Sequence, residues 1–361
     1  MSSVSTDYWH LVEDDSGRDK IQCDLCPRFC NLSEGQRGLC YVRGRENNQI
    51  KLFSYGKSSG FCIDPIEKKP LNHFYPGTSV LSFGTAGCNL ACKFCQNWDM
   101  SKSREMETLA SSALPEQIAQ VAKKYNCKSV AYTYNDPVIF LEYAVDTAIA
   151  CRQDNINNIA VTAGYICEKP REKFFHYMDA ANVDLKSFDT KFYKKLCGAE
   201  LESVLDTILY IHSETNCWLE LTTLLIPGHN DSQKEIHLLC EWVAAHLGEN
   251  VPLHFTAFHP DWKMQDVPPT PASTLSQARE IAKKTGLNYV YTGNVHDTVG
   301  SSTYCSNCEK LLIKRNWYEL GEWHINDGYC EYCNSKVEGR FSETRGNFGA
   351  RRIPLYHYFN R

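Results

Sequence analysis

The stretch "FGTAGCNLACKFCQNW", residues 83–98, sets Cys88, Cys92 and Cys95 in a CxxxCxxC pattern at the end of an apolar run. Thiols are seldom crowded like this for packing alone, and in a reducing compartment such clustering points to metal ligation. A closed structural ion takes four ligands. Three thiolates on a four-iron cluster leave one iron without a protein ligand, free to hold a substrate or cofactor. Which arrangement applies depends on where these cysteines sit in the fold.

Outward from this stretch, short β-rich runs alternate with helical ones. Strands are expected over 80–87, 129–135, 158–164, 181–187, 218–228, 252–260 and 288–295. Helices are expected from Pro115, which suits a first helical turn, over 138–152, from Glu168, and twice after Ser187. Repeated strand–helix units give parallel strands, and their apolar, β-branched and aromatic content suits burial on both faces. The expected fold is α/β, a partial or full TIM-like (β/α) barrel. Thr85, Asn135, Gly164, Asp184, Lys186, His259 and Asn294 fall at strand ends, where such a barrel builds its active site. The three cysteines follow the first of these strands and so belong to the same rim.

The chain has 361 residues, 43% of them hydrophobic and 22% charged, with a net charge of -5. No apolar run approaches the roughly 20 residues of a membrane span. The N-terminus lacks the basic start and apolar block of a signal peptide, so a cytoplasmic location is expected. The net charge gives no global reason to expect nucleic acid. Eighteen cysteines is a high count, and two further sets stand out. Cys305, Cys308, Cys330 and Cys333 form two CxxC pairs with zinc-ribbon spacing. Cys23, Cys26, Cys30 and Cys40 form a second four-cysteine set, for which zinc or an auxiliary iron-sulfur cluster are the alternatives, since thiolate ligation alone does not separate them.

The pattern CxxxCxΦC, with Phe94 in the aromatic place, resembles the radical S-adenosylmethionine (SAM) enzymes. The resemblance implies a 4Fe-4S cluster on Cys88, Cys92 and Cys95, reductive cleavage of SAM to a 5′-deoxyadenosyl radical, and removal of a hydrogen atom from an unidentified substrate. It also implies SAM contacts. "YTYND" stands where the family has a GGE-like element, which points to Thr133, Asn135 and Asp136, although the similar sequences have a glutamate where Asp136 is. "VDLKS" resembles the DLK element of glycyl-radical-enzyme activases, similar to pyruvate formate-lyase activating enzymes, and points to Asp184 and Lys186. "HFTAFHP" points to His259.

Stretches such as "CDLCPRFCNLSEGQRGLC", "DPIEKKPLNHFYPG", "AYTYNDP", "FYKKLCGAELESVLDTI" and "LLIPGHND" are similar to the AmmeMemoRadiSam system radical SAM enzymes. The organisation expected from this is a four-cysteine module over 1–78, a radical SAM core over 79–298, a zinc-ribbon-like module over 299–338 and a basic aromatic tail over 339–361. Zinc is expected at one or both terminal modules. The implied partners are an electron donor such as flavodoxin or ferredoxin, and Memo-like and AMMECR-like proteins. Activation of a glycyl radical enzyme is the alternative within this chemistry; a non-catalytic metal-bound scaffold for RNA or protein is the alternative outside it.

Two features stand apart from the resemblance. Cys197 could serve a radical enzyme as hydrogen-atom donor or covalent handle, or be a small packed residue. The segment 336–361 interleaves Arg340, Arg345, Arg351, Arg352 and Arg361 with Phe341, Phe348, Tyr356, Tyr358 and Phe359. That mixture suits single-stranded nucleic acid, or a tail that docks on its own protein.

Overall fold

The computed structural model describes residues 3–13, 17, 19–104 and 111–359. Its centre is a ten-stranded sheet. In chain order the strands are β1 (Lys57–Pro65), β2 (Ser79–Gly84), β3 (Ser129–Tyr132), β4 (Asn157–Thr162), β5 (Ala180–Asp184), β6 (Trp218–Leu225), β7 (Leu253–Ala257), β8 (Val290–Gly293) and β9 (Ile353–Pro354), with the short strand Ser111–Ser112 appended to β1. Strands β2 to β8 pair in sequence order, all parallel. Among the described residues no pairing joins β8 back to β1 or β9, so the barrel is open.

Helices cross between the parallel strands: α1 (Pro115–Lys124), α2 (Leu141–Gln153), α3 (Glu168–His176), α4 (Leu201–Glu214), α5 (Gln233–Leu247) and α6 (Ala272–Lys284). The first shows why these segments are helical. Pro115 and Glu116 occupy its first turn and Lys123 and Lys124 its last, matching the helix dipole, while Ile118, Ala119, Val121 and Ala122 face the core. Every residue of β2 and of β3 is buried, as expected for parallel strands covered on both sides. Each large apolar side chain so buried contributes about 2 kcal/mol.

Strand β1, antiparallel to β2, has no counterpart in the sequence reading. Gly60, at φ +69, and a register shift between Ser59 and Cys62 break the pattern that would reveal it. The sheet therefore begins inside the segment expected to form the N-terminal module, and β9, antiparallel to β1, extends it with residues of the tail.

The segment after β1 closes the lower end of the barrel. Glu220, fully buried in β6, accepts the backbone N–H groups of Asn72 (3.0 Å) and His73 (2.8 Å), the indole N–H of Trp218 (3.0 Å) and a hydrogen bond from His254 (2.7 Å). Burial alone would raise the Glu220 carboxyl, but the hydrogen bond from His254 and the neighbouring His73 bring it below its ordinary value. His73 in turn bonds the Tyr291 hydroxyl in β8 and the carbonyl of Glu338.

Two small antiparallel sheets precede the core, and a three-stranded sheet with a short hairpin follows it over 303–330. The tail then wraps the core. Arg340 exchanges backbone hydrogen bonds with His73 and Tyr75, Gly346 and Phe348 donate to Pro76 and Gly77, and the buried Phe359 ring lies 4.1 Å from that of Phe61. Arg345 and Arg351 donate to carbonyls of the same chain. Of the two readings of this tail, the structure shows docking on its own protein; Arg361 lies outside the described residues. No helix among the described residues is long and apolar enough to cross a membrane.

Replacing Glu220 with Ala leaves two backbone N–H groups and a histidine without their acceptor in a buried site. A loss of about 3 kcal/mol in stability is expected by denaturant titration. A change within experimental error would show that the buried network is dispensable.

Candidate metal and cofactor site

The cysteine loop leaves the top of β2 under close backbone control. A Cβ on Gly84 would lie 2.4 Å from the Thr133 carbonyl oxygen and 2.6 Å from Asn135 Oδ1, so only glycine lets the end of β3 approach here. Asn135 then spends its whole amide on the loop. Its Oδ1 accepts from the Thr85 N–H (3.2 Å), and its Nδ2 donates to the carbonyls of Thr85 (2.8 Å) and Gly87 (2.6 Å). Further along, the N–H groups of Ala91 and Lys93 donate to the carbonyls of Cys197 (2.8 Å) and Leu196 (2.9 Å), at the end of a π-helical turn over Tyr193–Cys197. Asn97 Nδ2 donates to the Tyr134 carbonyl (2.9 Å). Three elements thus fix a segment that has almost no secondary structure of its own.

The loop forms one wall of a cavity of about 500 Å³ at the C-terminal ends of the strands. Cys88, Cys92, Phe94 and Cys95 line it, as do Thr133, Asn135, Asp136, Asp184, Lys186 and Asn294. Lys186 Nζ lies 2.9 Å from Asp184 Oδ2. Burial would lower the Lys186 ammonium, but Asp184 and the thiols of Cys92 and Cys197 hold it well above its ordinary value. A hydrogen bond with the buried Cys197 draws the Cys92 thiol down, against burial and helped by Lys186 and Lys102. Cys88 is pushed up to about 12, first by burial. The donor set fits an iron-sulfur cluster: three thiols face one space, two cations stand near them, and a rim of polar groups remains for a further ligand.

Residues 83–240 match the sequence profile of the Radical SAM superfamily. An uncharacterized protein of Methanocaldococcus jannaschii is 41% identical over 322 residues, covering 89% of this chain and 96% of its own. The chain belongs to the radical SAM superfamily. It is also 24% identical over 177 residues to the 4-hydroxyphenylacetate decarboxylase activating enzyme of Clostridioides difficile, a match covering 46% of this chain and 55% of that protein. A solved domain of a pyruvate formate-lyase activating enzyme from Bacteroides vulgatus superposes with a TM-score of 0.41 at 20% identity, over 46% of this chain and 99% of that one.

The remaining expectations fare unevenly at this cavity. Asp136 is 4% exposed, caps the turn over 137–140 through the Val138 N–H (3.1 Å) and accepts from Thr162 Oγ1 (2.9 Å). Burial pushes its carboxyl up to about 6. His259 is exposed and does not line the cavity, because β7 ends at Ala257 and the chain leaves the rim two residues before it. Cys197 is fully buried behind the cysteine loop, which removes it from the cavity and from any substrate there.

Other lining residues were not placed at this cavity by the sequence reading. Asp64 at the end of β1 is bound by Lys68 and Lys69, each at 3.2 Å, and by the Tyr134 hydroxyl at 3.3 Å; Arg352 from the tail joins the same wall. The paired lysines of "DPIEKKP" were the available signal, but their placement depends on the unrecognised strand.

Asn135→Ala removes three hydrogen bonds of about 1 kcal/mol each while leaving all three thiols. Anaerobically reconstituted protein carrying it is expected to retain less iron and sulfide per chain than Thr133→Ala protein. Equal retention would contradict the clamp.

Proposed function

We propose that the protein reductively cleaves SAM at a 4Fe-4S cluster held by Cys88, Cys92 and Cys95, and that the radical so produced takes a hydrogen atom from a substrate yet to be identified. The observation that carries this is the convergence of three thiols and a polar strand-end rim on one cavity. When bound, the cluster and SAM supply the one-electron chemistry. The chain's own residues do the rest. Asn135 and the turn over Tyr193–Cys197 fix the thiols; Lys186, oriented by Asp184, offers a partly buried cation suited to a carboxylate; Phe94 and the apolar walls limit water. Thr133 and Asp136, which line the cavity, would meet the polar edge of the cofactor. An external one-electron donor of the flavodoxin or ferredoxin type would supply the reductant.

A second reading within the same chemistry, activation of a glycyl radical enzyme, draws on the similarity to the 4-hydroxyphenylacetate decarboxylase activating enzyme. It would require the substrate hydrogen to come from a polypeptide glycine, which a radical signal on the partner polypeptide would report. At the C-terminal module, Cys305, Cys308, Cys330 and Cys333 have their sulfurs within 4.8 Å of one another, a spacing suited to one structural zinc ion.

Anaerobic protein given dithionite and SAM is expected to release 5′-deoxyadenosine, and Cys88→Ala protein to release none; product from both at equal rates would refute the reading. Lys186→Met should raise the SAM concentration for half-maximal cleavage by about tenfold, the equivalent of one charge-assisted hydrogen bond. Its iron content should stay unchanged.

A further inference from the structure

The three cysteine sets of this chain differ in spacing. At the C-terminal set, Cys305 Sγ lies 3.6 Å from Cys333 Sγ and Cys308 Sγ lies 3.8 Å from Cys330 Sγ. Tetrahedral thiolates about 2.3 Å from one zinc ion stand about 3.8 Å apart, so this set is gathered for a single ion. Among the described residues it is the group whose ligand atoms close to that degree. Neither Cys88, Cys92 and Cys95 nor Cys23, Cys26, Cys30 and Cys40 are drawn so close.

The N-terminal four are nonetheless not scattered. All four line one enclosed, apolar cavity, walled also by Leu25, Leu32 and Ile139. Each of these three apolar residues is at most 2% exposed. A cavity ringed by four thiols at more than single-ion spacing has the form of a site for a larger body, and a four-iron cube holds its thiolates farther apart than one zinc does. Two cations border it. Arg43, 1% exposed, is held by Glu142 and the Ile139 carbonyl. Arg28 donates its Nε–H to the Asn89 carbonyl (2.8 Å), while its Nη2 is buried without a hydrogen-bond partner. Arg28 and Arg43 thus place two positive charges in the cavity wall, which suits an anionic cluster.

We infer that Cys23, Cys26, Cys30 and Cys40 hold a second 4Fe-4S cluster, closed by four protein ligands, which feeds electrons to the one on Cys88, Cys92 and Cys95. The site assignment rests on geometry; its relay role rests on the SAM-cleaving function proposed above. The two sites share a wall. A Cβ at Gly87, whose φ is +84, would lie 1.9 Å from the Cys40 carbonyl oxygen, so the chain beside Cys88 packs directly on the chain beside Cys40. Asn89 borders the N-terminal cavity while the adjacent Cys88 borders the SAM cavity. With four thiolates the second cluster has no iron open to substrate, which leaves it electron transfer. A reduced flavodoxin- or ferredoxin-type donor would give up one electron, the second cluster would take it and pass it on, and it would return to its oxidised state.

The test is the metal content and EPR spectrum of the full chain after anaerobic reconstitution. Wild-type protein should contain about eight irons, and Cys88→Ala/Cys92→Ala/Cys95→Ala protein about four with the EPR signal of a reduced four-iron cluster. About four irons in wild type and none in the triple variant, with two zinc ions per chain, would overturn the site. The triple variant leaves the N-terminal module intact, so the test does not depend on that module folding without its thiols, and its iron count is independent of whether SAM is cleaved. For the relay, Cys26→Ala protein that keeps the first cluster should lose at least about nine-tenths of flavodoxin-driven SAM cleavage; an unchanged rate would overturn it.

Discussion

The amide of Asn135 is the point on which the rest of the site depends. One side chain at the end of β3 holds the two carbonyls and one N–H that set the direction of the chain leaving β2. Its reach depends on Gly84, because any side chain there would occupy the space between the two strand ends. From that clamp the loop runs past Gly87, which lies against the N-terminal module, and across the π-helical turn after β5, which holds Ala91 and Lys93. The thiols therefore take their places from three separate parts of the chain. A parallel sheet brings these parts to one edge, as it must, since all seven strands end on the same side.

Much of this was legible in the sequence because periodicity and turn chemistry agree. Each parallel strand overlaps its expected run, three of them starting one residue before it, and the first crossover helix begins at Pro115 as expected. Three things were not legible. The strand β1 is interrupted by Gly60, so its pattern is lost, and with it the placement of Asp64, Lys68 and Lys69. His259 shares a motif with a strand but lies beyond its end, where one more turn of chain decides the direction. The function of Asn135 depends on whether its amide meets a ligand or the backbone, and residue type does not reveal that.

The same chain holds three cysteine sets under different constraints, which makes them informative together. The C-terminal sulfurs close on one another within a small sheet; the other two sets stand more widely spaced around cavities on either side of one loop. The backbone of the tail docks on the core, and its Arg352 reaches the wall of the cavity that the cysteine loop lines. Both ends of the chain thus serve the central site, one beside the cysteine loop and one at the cavity wall.

The central claim, that three thiols hold a cluster with a position open to SAM, is tested most directly by EPR of the dithionite-reduced chain before and after SAM is added. The account predicts that SAM changes the part of the spectrum that disappears when Cys88, Cys92 and Cys95 are replaced. A spectrum unaltered by saturating SAM would contradict it.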